Sequence, residues 1–473
     1  MRLLVLELRS LFAERGSVVA LVLLCGAFAL GLSYGKARLA EDDALDRTIH
    51  AEQTGELERL DRFLDTAPAK PLWFGDPRHP AFVAMATNLT VARLPPGALA
   101  PLAVGTRDVW PTAVRLGLPG SIMRELDDER FDRLENPEHL ATGPFDLTFV
   151  VVFFVPLVVL VLAHDVASAD RERGTAFLLA AAGVPLARVV AARLFVRLSV
   201  VSALLGVVAL SGFLLGHRDG AAWSVATWWL LATTYASFWF SVCALIQSFR
   251  SSSSTNAVAG AAAWLFFVMV WPVVAQLVAS TVAPLPSRTD YDLAKRDAKQ
   301  HADLTAKADI RAFYEAHPEL GHDAFIASEG LSYPTWFVPI LSARRSVHAL
   351  RERFDERLAR EQRVARALAV ISPALSCFEG LEDAAGQGAA RHRRFLRQAE
   401  AFDEAYADSA MVDTMSFRRL DRRGLHQLRQ FHYREESAGA RLGRLTTSFA
   451  ELSIPWALVL ALAWLRLRRQ SWV

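Results

Sequence analysis

The chain has 473 residues, with 52% hydrophobic and 22% charged side chains and a formal net charge of +2. A balance so close to neutral gives no sign of a nucleic-acid binder that works by charge. The three cysteines, Cys25, Cys243 and Cys377, are too dispersed for a disulfide framework. Very apolar runs alternate with long charged stretches, the pattern of a membrane protein with large aqueous parts.

Residues 1–16 are amphipathic. Leu4, Leu8, Leu11 and Phe12 share one helical face while Glu7 and Glu14 fall elsewhere, which predicts a helix lying in the membrane interface. A first span follows at 17–34; the acids among Arg2, Arg9 and Arg15 favour an uncleaved span over a leader peptide. The segment 36–144 opens with a charged helix, Glu41 to about Leu64, and then turns proline-rich, so it reads as mixed structure. Within it Ala98–Val104 suits a strand or a packed loop.

The second span, 145–163, carries Pro156, and a charged loop occupies 164–193. Further spans are predicted at 194–215, 223–246 and 257–282, each within the roughly 17–25 apolar residues a spanning helix needs. Pro156 and the Trp271-Pro272 pair are placed to kink the second and fifth spans. The segment 283–448 is mainly helical, with Leu350, Phe354, Leu358 and Val364 as one apolar stripe and Phe395, Ala399, Phe402 and Tyr406 as another. Pro334, Pro339 and Pro373 are expected to separate its helices, and Cys377, if exposed on this polar stretch, to react with a membrane-impermeant thiol reagent. A sixth span, 449–465, has Ser453–Pro455 near its entry, and a basic tail, 466–473, ends the chain.

The fold class expected is thus an all-α membrane protein with six transmembrane helices and two large outer segments. Arginines gather at the N-terminus, in the 164–193 loop (Arg171, Arg173, Arg188, Arg193) and at the C-terminus (Arg466, Arg468, Arg469). With six spans these three regions share a side, and the positive-inside rule makes it cytoplasmic, N-in and C-in. The segments 36–144 and 283–448 then lie outside.

Catalytic signatures are missing. The Gly35-Lys36 pair lacks the glycine spacing of a phosphate-cradling loop, and none of the twelve histidines has metal-ligand spacing to a suitable partner. Ionisable residues are nearly absent from the predicted spans, with His164-Asp165 at a boundary, which argues against a proton-coupled carrier. No cofactor is expected.

The most informative stretch is Ser168, Asp170, Arg171, Glu172, Arg173, Gly174 and Thr175, between two apolar runs. So many charges cannot lie in lipid. Ala176 to Ala182 is a short apolar helix stopped by Gly183, and Pro185 opens the next helix. Ser168 or Asp170 is suited to cap one short helix and Thr175 the other.

Together with His164-Asp165, Phe177-Leu178-Leu179, Gly183-Val184-Pro185 and Arg188, this stretch resembles the first cytoplasmic loop of ABC-2-type transporter permeases. The resemblance implies that Ser168 and Asp170 to Thr175 form the element docking on a separate cytoplasmic ABC ATPase subunit. It implies a dimer with a second copy or a related permease, no ATP hydrolysis by the chain itself, and a place in a bacterial inner membrane. The run from Ile371-Ser372-Pro373 to Arg394-Phe395 resembles the outer segment of an uncharacterised permease subfamily, some members of which are encoded beside copper-enzyme maturation or gliding-type export genes. An alternative is a mechanical transducer, driven by the ATPase, that acts on an envelope partner and carries no cargo.

Overall fold

The structure is a computed structural model and describes residues 2–66, 78–79, 82–83, 89–105, 111–116, 145–216, 221–284, 287–320, 333–369, 371–415, 420–426, 428 and 430–470. Six of its helices are long and apolar enough to cross a membrane. The protein is a multi-pass, all-α membrane protein.

Helix α1 (Arg2–Ala13) precedes α2 (Arg15–Thr66), which contains the first span and the charged helix after it in one unbroken rod of 52 residues. No proline falls within α2, so nothing forces a break where it leaves the apolar run. The second span is α3 (147–163), and two short helices follow, α4 (Ser168–Glu172) and α5 (Ala176–Ala181). The third, fourth and fifth spans are α6 (Leu186–Leu215), α7 (Ala221–Gln247) and α8 (Ser253–Val282). Then come α9 (Arg288–Ala316), α10 (Tyr333–Ala369), α11 (Pro373–Ala385), α12 (Ala389–Met415) and the short α13 (Arg422–His426). The sixth span lies in α14 (Ala438–Arg468).

Pro339 lies inside α10, so it does not separate elements as expected, and Pro455 lies inside α14. A proline deletes one ladder hydrogen bond, and a long, otherwise apolar or charged helix survives that loss. The sixth helix accordingly begins eleven residues before the predicted span at 449, at Ala438, where the Ser437 side chain accepts from the Ala440 amide as N-cap. Pro334 and Pro373 do sit at helix starts.

Helices α3 and α7 form the centre of the bundle: 67% and 61% of their apolar windows are buried, against 11% for α8 and 17% for α14. The outer helices therefore offer apolar faces to lipid or to another subunit. Trp228, Tyr235, Phe238 and Trp239 of α7 are fully buried and pack against α3, α11 and α14.

One end of the bundle is closed by chain from the 36–144 and 283–448 segments. Residues 97–105 form a packed turn, and its Leu99, Leu102 and Ala103 join the bundle core. Gly35 of α2 lies so close to this turn that a Cβ there would stand 2.0 Å from the Pro101 carbonyl oxygen. The Ser372 side chain caps α11, Pro373 opens it, and Gly386 ends it in the left-handed region at φ +74°. Its Cys377 is wholly buried, so the exposure that a reactive thiol requires is not met: α11 is pressed between α7 and α14 rather than exposed with the charged helices around it.

A two-stranded antiparallel sheet, β1 (Val91–Arg93) with β2 (Ala113–Arg115), pairs Ala92 with Val114. It packs on Ile49 of α2 on one side and on Phe395 and Ala399 of α12 on the other. The stripe of Phe395, Ala399, Phe402 and Tyr406 does face a core, whereas Phe354, Leu358 and Val364 are half-buried along the α9–α10 hairpin. The side chain of Leu350 lies outside the described residues.

Glu382 of α11 is buried at this closed end. Loss of water, with the Asp146, Asp383 and Glu379 carboxylates nearby, pushes its carboxyl well above the ordinary 4.5. Its pKa is raised on folding, so the stability it contributes is complete in acid and is lost as pH rises from about 4.5 through the raised value. Glu382→Gln is therefore expected to unfold at a higher temperature than wild type at neutral and alkaline pH, with the difference vanishing near pH 4. A pH series of thermal unfolding curves checks this.

Candidate functional site

The opposite end of the bundle holds the charged loop. Gly174 and Gly183 both adopt positive φ, +72° and +69°, and turn the chain sharply after α4 and after α5. At Gly174 an added Cβ would meet nothing within 4 Å, so backbone conformation, not space, calls for glycine. Pro185 takes the N-cap position of α6.

The short helices are not capped as expected. Neither Ser168 nor Asp170 caps α4, and Thr175 makes no capping bond to α5. Each side chain has a partner elsewhere that competes with the local backbone. Ser168 Oγ lies 2.8 Å from Ser253 Oγ, and Thr175 Oγ1 donates to Asp170 Oδ1 at 2.8 Å.

Glu172 reaches across to the start of α8. Its Oε1 accepts from the Ser253 amide at 2.7 Å and its Oε2 from the Ser253 hydroxyl at 2.9 Å. A carboxylate is favoured there by the positive end of the helix dipole. Arg171 donates to the Ser251 carbonyl at 3.0 Å, and Asn256 Nδ2 donates to the His164 carbonyl at 3.3 Å. Gln247, at the end of α7, donates to the Ala163 carbonyl and accepts from the Ala167 amide. The loop is thus sewn to the α7–α8 turn by side chains on both sides.

Two arginines of α6 complete the anchorage. Arg193 donates to Asp170 Oδ2 at 2.5 Å, to the Val166 carbonyl at 2.6 Å and to Glu7 Oε1 of α1 at 3.1 Å. One helical turn further on, buried Arg197 donates to the Leu162 carbonyl and stands 3.9 Å from both Glu14 and Asp165. These two guanidiniums bond carbonyls at the end of α3 and in the turn after it, and join α1, α3, α4 and α6 in one charged network.

Arg173, Phe177 and Leu178 face outward; Phe177 is 69% and Leu178 67% exposed. Phe177 and Leu178 make an apolar knuckle flanked by charge, on a loop whose Ser168, Asp170, Arg171, Glu172 and Thr175 side chains are tied down. Such an element can press on a soluble partner and pass displacement to α3, α6 and α8, which it contacts directly.

All seven predicted loop residues are brought together here. Arg197, Gln247, Ser253 and Asn256 belong to the same site and were not expected. Arg193 and Arg197 stand four apart at the start of an apolar run, a spacing that places both on one helical face. The serines at 251–254 are a polar start to a span, and their role becomes visible only when the turn meets the loop. The basic tail converges on this end as well, where Gln470 donates to the Ser248 carbonyl and Arg466 lies over the Phe249 ring. Among the described residues no group of three or more histidine, cysteine or acidic side chains is placed to hold a metal ion.

Residues 288–434 match the model of a family described as a domain of unknown function (DUF3526). The match covers α9 to α13 and includes the 371–395 stretch. Comparison with curated proteins and with solved structures finds no match.

Proposed function

We propose that this chain is the membrane-spanning permease subunit of an ABC-2-type exporter, coupled to a separate cytoplasmic ATPase. The observation that carries the reading is the anchored loop, which presents Phe177 and Leu178 outward while Asp170, Arg171 and Glu172 are bonded to α6 and to the α7–α8 turn. A docking element must be rigid toward the membrane and apolar toward its partner to transmit a stroke, and this loop is both.

In this reading the loop end of the bundle is cytoplasmic, with both termini, and the membrane is a bacterial inner membrane. The exposed apolar faces of α8 and α14 leave room for a second permease copy or a related permease. ATP is hydrolysed by the partner. The chain supplies a path for cargo across the membrane.

Co-purification in mild detergent tests the partner: a stoichiometric soluble subunit with a phosphate-binding loop is expected, and a clean preparation without one would overturn the reading. Glu172→Ala removes the bond to the start of α8, and Gly174→Pro forbids the positive φ of the turn, a strain of about 1–3 kcal/mol. Both variants should assemble with the ATPase yet lose most of its coupling to the membrane subunit. Wild-type coupling in both would exclude the docking role.

A second reading, a transducer that works on an envelope partner, draws on the long α9–α10 hairpin, whose helices have 29 and 37 residues and dense charge. Cargo flux in reconstituted vesicles separates the two.

A further inference from the structure

Two spans depart from the α-helical ladder at similar places. In α3 the stretch Val150–Phe154 winds as π-helix, and the Val155 amide reaches the Val150 carbonyl. In α8 the stretch Leu265–Val270 does the same, and the Trp271 amide reaches the Phe266 carbonyl. A proline follows one residue beyond each stretch, Pro156 and Pro272. Proline has no N–H, so one carbonyl on the preceding turn is left without its ladder donor.

Side chains from elsewhere in the fold donate to carbonyls within both π-turns. Tyr235 of α7 donates its hydroxyl to the Val152 carbonyl at 2.9 Å, and Trp264 of α8 donates its indole N–H to the Phe153 carbonyl at 3.2 Å. In α8 the Phe267 carbonyl, which a π-bond from position 272 would have served, accepts from the Ser372 hydroxyl at 2.9 Å. Ser372 is also the N-cap of α11.

The α8 π-turn separates two sets of contacts. Before it, Ser253–Trp264 packs against α3 and α7 in the bundle; after it, Trp271–Val282 packs against α10. The second half is strapped to α10 by Trp271 Nε1 to the Leu368 carbonyl at 3.0 Å and by Gln276 Nε2 to Glu361 Oε1 at 3.0 Å. One helix therefore belongs to the bundle on one side of the turn and to the α9–α10 hairpin on the other.

We propose that the α8 π-turn is a joint at which the α9–α10 hairpin, carried on Trp271–Val282, swings relative to the bundle, and that the Ser372 hydroxyl is its latch. The hydroxyl bond can be made or released without disturbing a ladder, because Pro272 has already removed the competing amide. Tyr235 and Trp264 hold the facing π-turn of α3 closed, so movement concentrates in α8. The joint is intrinsic to this chain and stands whether or not an ATPase is the partner.

The test is a distance distribution between spin labels at Glu315→Cys, near the far end of α9, and Leu210→Cys in α6, in a Cys25→Ser chain in lipid nanodiscs. Cys243 and Cys377 are buried and stay unlabelled. Helix α9 has 29 residues, about 43 Å at about 1.5 Å per residue, so a bend of about 20° moves its far end by roughly 15 Å. Pro272→Ala restores the amide and should shift the distribution by about that distance. Ser372→Ala should broaden it, Ser372→Thr should restore the wild-type width, and Ser372→Ala should add nothing in the Pro272→Ala background. Distributions in Ser372→Ala and Pro272→Ala that superpose on wild type would overturn the joint. A Ser372→Thr chain as broad as Ser372→Ala would overturn the latch. If Pro272→Ala does not fold, the Ser372 pair decides alone.

Discussion

Arg193→Met is expected to cost the folded chain about 3 kcal/mol, the low end for removing one partner of a buried ion pair. The substitution keeps the apolar stem and removes the guanidinium, leaving Asp170 and Glu7, both mostly shielded from water, without their cation. The Val166 carbonyl loses its donor too. Most of the cost comes from orphaned groups rather than from the pair itself, so Asp170→Asn in the same chain should recover a large part of it. Equilibrium unfolding in mixed micelles gives both numbers. If the single variant is as stable as wild type, the network does not hold the loop. If the double variant is no better than the single one, Asp170 is not the group that Arg193 neutralises. Under the proposed function, the chain with Arg193→Met should still bind the proposed ATPase through Phe177 and Leu178 while stimulation falls, because the knuckle survives and its anchorage does not.

Gly35→Ala is expected to destabilise the chain by about 1–3 kcal/mol or more, the usual cost of forcing atoms into a packed site. The added carbon would meet the Pro101 carbonyl oxygen at 2.0 Å and the carbonyl carbon at 2.8 Å. Both are backbone atoms, so the clash can be relieved only by moving the 97–105 turn or by bending α2. Gly55→Ala is the control with the opposite sign. It lies on the same helix with nothing within 4 Å of the added carbon, and it should stabilise by about 0.5–1 kcal/mol through helix propensity alone. Unfolding curves of the two variants, with limited proteolysis of the 97–105 turn, check the pair. Equal stability for Gly35→Ala and wild type would mean that the turn is not wedged against α2.

The six spans were legible because a run of apolar residues long enough to cross a bilayer is set by composition and length, both local properties of the chain. The loop was legible for the opposite reason: charges as dense as Asp170 to Arg173 have no place in lipid, and Gly174, Gly183 and Pro185 mark turns that depend on backbone chemistry alone. Helix ends were read less well. Proline removes one hydrogen bond wherever it stands, but whether the helix then stops depends on what lies beside it. Pro373 begins α11, Pro339 and Pro455 are absorbed into longer helices, and Pro156 and Pro272 follow π-turns whose carbonyls accept from Tyr235 and Ser372.

The sequence by itself determined that this is a multi-span helical membrane protein with one charged, glycine-turned loop and large polar segments. Only the tertiary structure decided what that loop is fastened to. Arg197 in an apolar span, Gln247 at the end of another and a serine turn eighty residues away become one site through contacts between distant parts of the chain, and spacing within a sequence does not encode such contacts. The same holds at the other end, where Cys377 and Glu382 lie in a polar stretch of sequence yet are buried because α11 is drawn between α7 and α14. Burial is a property of neighbours, and the neighbours are chosen by packing.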